Sequence, residues 1–311
     1  MSPVEHACAV PVSDEHLWEI TAQWLADGLA AGERVLYFED HTADAVVARM
    51  EDDRVPVRRA VDTGQLVIVP TEVTRAALTA PAEQLEQLLV GQIGETAALG
   101  WPRLRLTGET CSALLPSGGT ERVVAYERAT QRVLRDHPAT RLLCRYDRGR
   151  FDETAIAQMR AMHDTELVSP SVYDDNLLRI SRTGLASARL AGEVDHSNRQ
   201  QIRALLETTL DQALRSHSAP HVITLDLSSL RFIDVAGAVS LVHAAEEFPS
   251  THRLLLTGVR PRVLRLLDRC GAPFASQLAV EARQETVVEA AVEQSPEPSD
   301  APGFTAPEVV A

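Results

Sequence analysis

The chain has 311 residues, of which 45% are apolar, 24% charged and only 4% aromatic. That is room for two domains of about 100–200 residues each, with cores of Leu, Val, Ile and Ala. Every one of the 30 basic residues is Arg, which excludes Schiff-base chemistry, a lysine general base and a P-loop lysine, while a net charge of −14 argues against a nucleic-acid partner, which needs a basic face.

The first sixteen residues, MSPVEHACAVPVSDEH, contain no apolar core of a signal peptide. No apolar run reaches the roughly 18 residues of a membrane span. A cytoplasmic protein with no membrane partner is expected. Residues 16–32 carry apolar positions at helical spacing and end on Gly32, with Ser13 or Asp14 as N-cap. A strand follows at 34–40, a short helix at 42–50, a strand at 65–70, a helix at 81–99 and a strand at 103–109. A helix at 119–137, a strand at 141–147 and a helix at 152–163 complete the unit. Strands alternating with helices predict a parallel α/β sheet over residues 1–168.

The stretch SPSVYDDN, residues 169–176, combines Pro, Ser and Asp and reads as a linker. A second, smaller α/β unit covers 177–293. Two strands around Gly184 open it, and a helix follows at 198–216. Residues 221–227 read as a buried strand and 228–233 as a loop, before a helix at 235–248. A strand at 253–259, a Pro-started helix at 261–270 and a strand at 277–282 end the unit, with a helical piece to about 293. From 294 to 311 the chain is rich in Pro, Ser and acids and reads as a disordered tail.

The sharpest motif is D-L-S-S-L-R-F-I-D-V-A-G-A-V-S-L, residues 226–241. Asp234 stands where an N-cap belongs, and Val235, Ala236 and Gly237 open a helix. The free N–H groups of such an end favour negative charge. This stretch resembles the STAS domain of anti-sigma factor antagonists. A-G-E-V-D at 191–195 resembles the turn before that family's first helix, and L-L-L-T-G-V-R-P-R-V-L-R-L-L-D-R-C-G at 254–271 its late strand and helix. The resemblance covers about 177–290. It implies a docking surface at Asp234, Val235, Ala236, Gly237 and Asp195, with a kinase-like anti-sigma factor or other STAS proteins as partners. In that family the kinase phosphorylates a Ser or Thr beside the capping Asp. Here those positions are Val235 and Ala236, so phosphorylation there is chemically impossible. Ser240, one turn into the helix, reads as a helix-face residue. Constitutive binding, a binding module that has lost that partner, and Asp234 as a helix cap alone all stay open.

In the first unit, W-L-A-D-G-L-A-A-G-E-R-V-L-Y-F-E-D (24–40), D-T-G-Q-L-V-I-V (62–69), R-L-R-L-T-G-E (103–109), A-Y-E-R (125–128) and L-L-C-R-Y-D (142–147) occur in one order. With His6 they resemble the MEDS sensory domain over about 5–165. The resemblance implies a RecA/KaiC-like sheet used for sensing. Glu39, Asp40, Glu109 and Asp147 lie at predicted strand ends, where open α/β sheets bind ligands. With His6, Tyr126, Glu127 and Cys144 they outline a candidate pocket for a small molecule. The same carboxylates equally serve as helix caps.

Neither a catalytic nucleophile nor a cofactor is indicated. The cysteines Cys8, Cys111, Cys144 and Cys270 are far apart, and Cys144 reads as a buried small hydrophobe. His16, His41, His137 and His163 are scattered, so no metal site is predicted from spacing. Arg58, Arg59, Arg141, Arg145, Arg148 and Arg150 are expected to be solvated. The expectation is a non-enzymatic, two-domain α/β regulator in a partner-switching pathway. Its rivals are a STAS-based scaffold and a nucleotide-binding RecA-like protein without a P-loop.

Overall fold

The computed structural model describes residues 6–39, 41–108, 115–146, 151–168, 171–215 and 220–283. The first domain runs β1 (His6–Ala9), α1 (Asp14–Ala30), β2 (Arg34–Phe38), α2 (Ala43–Asp52), α3 (Val57–Asp62), β3 (Leu66–Val69) and α4 (Thr71–Thr79). It continues with α5 (Ala82–Ala98), β4 (Leu104–Gly108), α6 (Leu115–Asp136), β5 (Thr140–Arg145), α7 (Glu153–Ala161) and β6 (Thr165–Glu166). The strands form one parallel sheet in the order β3-β2-β4-β5-β1-β6.

Helices cover both faces of this sheet, and alternate strand residues enter two separate cores. Leu36, Leu106, Leu142 and Cys144 face one core. Val35, Tyr37, Leu143 and Ala7 face the other. Ser13 caps α1 by accepting from the His16 N–H. The sequence pattern misses β1, whose four residues HACA are too short and too small to show a period, although all four are buried. It also passes over α3 and α4, which are only six and nine residues long.

The second domain comprises β7 (Ser171–Asp174), β8 (Leu178–Gly184), β9 (Ser187–Val194), α8 (Arg199–Arg215), β10 (Val222–Asp226), β11 (Leu230–Ile233) and α9 (Val235–Glu246). After these come β12 (Arg253–Val259), α10 (Pro261–Arg269), a short 3-10 turn (Ala272–Phe274) and β13 (Leu278–Ala282). The mixed sheet has the order β13-β12-β10-β9-β8-β7, with β11 pairing the end of β9. β8 pairs antiparallel to both β7 and β9; the other pairings are parallel. Two expectations are corrected here. Residues 171–174, read as linker, form the edge strand β7, since Tyr173 can pack on the core while Asp174 and Asp175 take up hydrogen bonds at the corner. Residues 230–233, read as loop, form β11, because Leu230 and Ile233 are buried while the two residues between them face out. Gly192 permits the bend of β9 between β10 and β11, its two partners on that edge. Its φ is 102°, and a Cβ there would meet the Leu177 carbonyl oxygen at 2.0 Å. The expected helical piece beyond 283 and the tail at 294–311 lie outside the described residues.

The two domains meet along a charged seam. Acids of α1 and α2 face arginines of the second domain. Glu19 takes the Arg179 Nε at 2.5 Å, and Asp52 takes the Arg260 Nη2 at 3.0 Å. Glu15 pairs with Arg231, Asp53 with Arg189, and Asp52 also with Arg283. Ser229 donates to Asp52 at 3.1 Å, and Ser13 to Asp174 at 2.7 Å.

Candidate functional site

Two places gather the predicted site residues. In the second domain, β9 and β11 run side by side, so their ends bring Asp195 and Asp234 to one edge. The Asp234 N–H bonds the Val194 carbonyl at 3.0 Å. Its carboxylate accepts from the Gly237 N–H at 2.6 Å and lies 3.5 Å from Arg199. Asp234 therefore caps α9 in the usual way. Asp195 accepts from the N–H and hydroxyl of Ser197, and those bonds hold its carboxyl below the usual range. Gly237 is buried, and a Cβ there would come within 3.0 Å of Ile233, Asp234 and Val194. Val235 is 61% exposed, and Phe232 beside it is 50% exposed. Ala236 is also exposed. The first turn of α9 thus presents apolar side chains to solvent while the Asp234 carboxylate caps it through the Gly237 N–H. A groove between α8 and α9, lined by Arg199, Arg203, Glu207 and Ser240, lies alongside.

In the first domain, Tyr126, Glu127 and Cys144 line a cavity of about 50 Å³ between the sheet and helices α4, α5 and α6. Its walls are mainly apolar, with Phe38, Leu78, Leu89 and Leu106 among them. The Tyr126 hydroxyl donates to the carbonyls of Ala77 and Ala80. Glu127 and Cys144 also belong to a buried polar cluster with His6 and His163. The Glu127 Oε2 lies 3.2 Å from His6 Nε2 and 3.4 Å from His163 Nε2. The Cys144 Sγ lies 3.5 Å from Glu127 Oε2 and 3.6 Å from His6 Nε2. Tyr146 donates its hydroxyl to the other Glu127 oxygen. Burial opposes ionisation of Glu127, but the bonds and charges of His163 and His6 outweigh it and hold the carboxyl well below its ordinary range. Burial also disfavours the His163 cation, yet Glu127 raises it above the ordinary histidine value.

Three expectations change. His163 is not isolated: the turn after α7 brings it beside His6, a convergence that residue spacing does not reveal. Glu39 bonds Thr71 at the start of α4 and does not line the cavity. Asp40, Glu109 and Asp147 lie outside the described residues, as do Cys111, Arg148 and Arg150. Arg141 and Arg145 are not simply solvated. Arg141 lies 3.5 Å from the buried Glu33, and Arg145 is 1% exposed with its Nη1 2.5 Å from the Thr21 hydroxyl. Arg58 and Arg59 are exposed.

No helix among the described residues is long and apolar enough to cross a membrane. No curated protein matches the chain. Among solved structures, it is similar to an uncharacterised protein from Pyrococcus horikoshii described as in complex with an unknown peptide. That match has 12% identity and a TM-score of 0.42, and covers 57% of this chain and 82% of the other. Family models are more informative. Residues 181–282 match the STAS domain. Residues 5–164 match the MEDS model, described as the methanogen/methylotroph DcmR sensory domain. Both are sensory or regulatory families and not enzyme families. With the MEDS model spanning half of its length, the chain belongs to the MEDS family and carries a STAS domain behind the sensory one.

Proposed function

We propose that this protein is a non-enzymatic regulator of the anti-sigma factor antagonist type. Its first domain senses a small molecule or a partner, and its second binds a kinase-like anti-sigma factor. The observation that carries this reading is the first turn of α9. Asp234 caps the helix, Val235 and Ala236 face solvent, and neither has a hydroxyl. A phosphate at this place would add about −1.5 to −2 charge and repel a docking partner. With no acceptor for it at these two positions, docking here is constitutive, and any switching enters through the first domain and the charged seam.

The test starts with affinity capture by the full chain from its host's lysate, with and without Mg-ATP, followed by titration of the purified partner. A kinase-type anti-sigma factor should bind equally in both conditions. Ala236→Asp should weaken binding by about tenfold or more through like-charge repulsion. Unchanged affinity overturns the docking surface. Recovery of STAS proteins alone, together with a large homo- or hetero-oligomer in light scattering, would favour a scaffold.

A further inference from the structure

We infer that His6, Glu127, Cys144 and His163 form a closed binding site for a divalent transition-metal ion of the zinc class. The inference is independent of the partner proposed for the second domain. All four donor atoms lie within 4.8 Å of one another. Four of the six separations, His6–Glu127, His163–Glu127, Cys144–Glu127 and Cys144–His6, are 3.2, 3.4, 3.5 and 3.6 Å. Around tetrahedral zinc, with bonds of about 2.0–2.1 Å to nitrogen or oxygen and about 2.3 Å to sulfur, the edges come to about 3.3 Å between nitrogen and oxygen and about 3.5–3.6 Å to sulfur. The four observed separations follow that pattern, the longer two being those to sulfur.

Direct hydrogen bonding accounts for the cluster less well. Charge-assisted N–H···O bonds shorten to about 2.7–2.9 Å. Here one carboxylate oxygen, Glu127 Oε2, faces two imidazole nitrogens and a thiol, all at 3.2 Å or more. The His163 Nε2 is buried, and its approach to Glu127 Oε2, at 3.4 Å, falls short of good hydrogen-bond geometry. Its other nitrogen, Nδ1, lies 2.6 Å from the Met159 carbonyl. Donating there puts the proton on Nδ1 and leaves the Nε2 lone pair aimed into the cluster, the usual outer-shell arrangement for a metal-bound histidine. Tyr146 does the same for Glu127 by holding the carboxylate oxygen that faces away from the centre. All four side chains are at least nine-tenths buried. Two neutral imidazoles, a thiolate and a carboxylate around a dication give a site with no net charge, the condition for burying it in an apolar core. Binding is then a balanced exchange, in which the metal takes the thiolate and the Cys144 proton leaves to solvent.

The donors come from β1, α6, β5 and the turn after α7, so the ion would tie the N-terminal strand to the rest of the sheet. The test uses the full chain, stripped with a chelator and reloaded with Co²⁺ or Zn²⁺. Stoichiometric Co²⁺ should give intense visible bands of a tetrahedral site and a near-ultraviolet thiolate-to-cobalt band. Zn²⁺ should displace the cobalt and raise the melting temperature. Cys144→Ser should remove the thiolate band, and Tyr146→Phe should lower affinity by about 10–100-fold. The unmodified chain decides the matter even if a variant fails to fold. Folded chain that takes up no stoichiometric metal, or cobalt bound without the thiolate band, would overturn the inference and leave a His–Glu–His hydrogen-bonded network.

Discussion

The buried cluster around Glu127 and the seam between the domains are both assemblies of charged groups, but they stand in opposite surroundings. Glu127 is 4% exposed and closed in by two histidines, a cysteine and a tyrosine. At the seam the acids Glu15 and Asp52 are nearly buried, whereas their arginines Arg231, Arg260 and Arg283 remain 30–41% exposed. Burial removes the water that screens charge, so each lost contact costs more in the cluster than at the seam. The cluster is accordingly a rigid part of one core. The seam joins such partly hydrated pairs to one nearly buried cation, Arg179, which is 1% exposed and paired with Glu19.

That contrast can be broken by mutation. The largest effect is expected for Glu127→Ala, which strips His6, His163, Cys144 and Tyr146 of their shared partner. Chemical denaturation of the full chain should show a loss of about 3–5 kcal/mol. A loss below about 1 kcal/mol would mean that the cluster is not integral to the fold.

The next test is acid. His16 sits at the seam, where burial and the charge of Arg179 push it down to about 4, with Glu19 and Asp174 opposing. Its Nδ1 accepts from the Val12 N–H at 3.3 Å. The unfolded chain, with an ordinary histidine, binds the proton at about pH 6.5, while the folded chain binds it only near pH 4. Stability should therefore fall as pH drops from about 6.5 to about 4, by about 2 kcal/mol after discounting for solvent screening. His16→Gln should flatten that slope. An unchanged pH profile would show that His16 protonates freely in the folded protein.

The smallest effect is expected at the seam itself. Asp52→Ala removes the partner of Arg260, Arg283 and Ser229. Because both arginines are partly hydrated, the cost should be about 1–2 kcal/mol and should shrink as salt is added. Two separated thermal transitions in this variant would show that the seam couples the domains. A single unshifted transition would show that it does not.

Much of the architecture is legible in the residues. The apolar run 253–259, Pro261 at the start of α10 and the Asp234 cap all act locally, and the structure places β12, α10 and α9 there. The short elements β1, α3, α4 and β11 are not legible, because four to nine residues carry too little periodicity to separate from loop. Their burial comes from neighbours far along the chain. The candidate cluster was half visible. His6, Glu127 and Cys144 could be gathered as a pocket from strand ends and motif order. His163, 157 positions from His6 by residue number, could not.

Alternation of strand and helix, the absence of lysine and the loss of a hydroxyl beside Asp234 are properties of the sequence by itself. They determine the α/β class, exclude lysine chemistry and leave Val235 and Ala236 without a hydroxyl, since each depends only on residue identity and local spacing. Tertiary structure alone decides that two histidines, a carboxylate and a thiol share one buried centre, and that acids of α1 and α2 meet arginines of the second domain. Both arrangements need the parallel sheet and the domain contact to carry distant segments within a few ångströms, where loss of water gives their charges force.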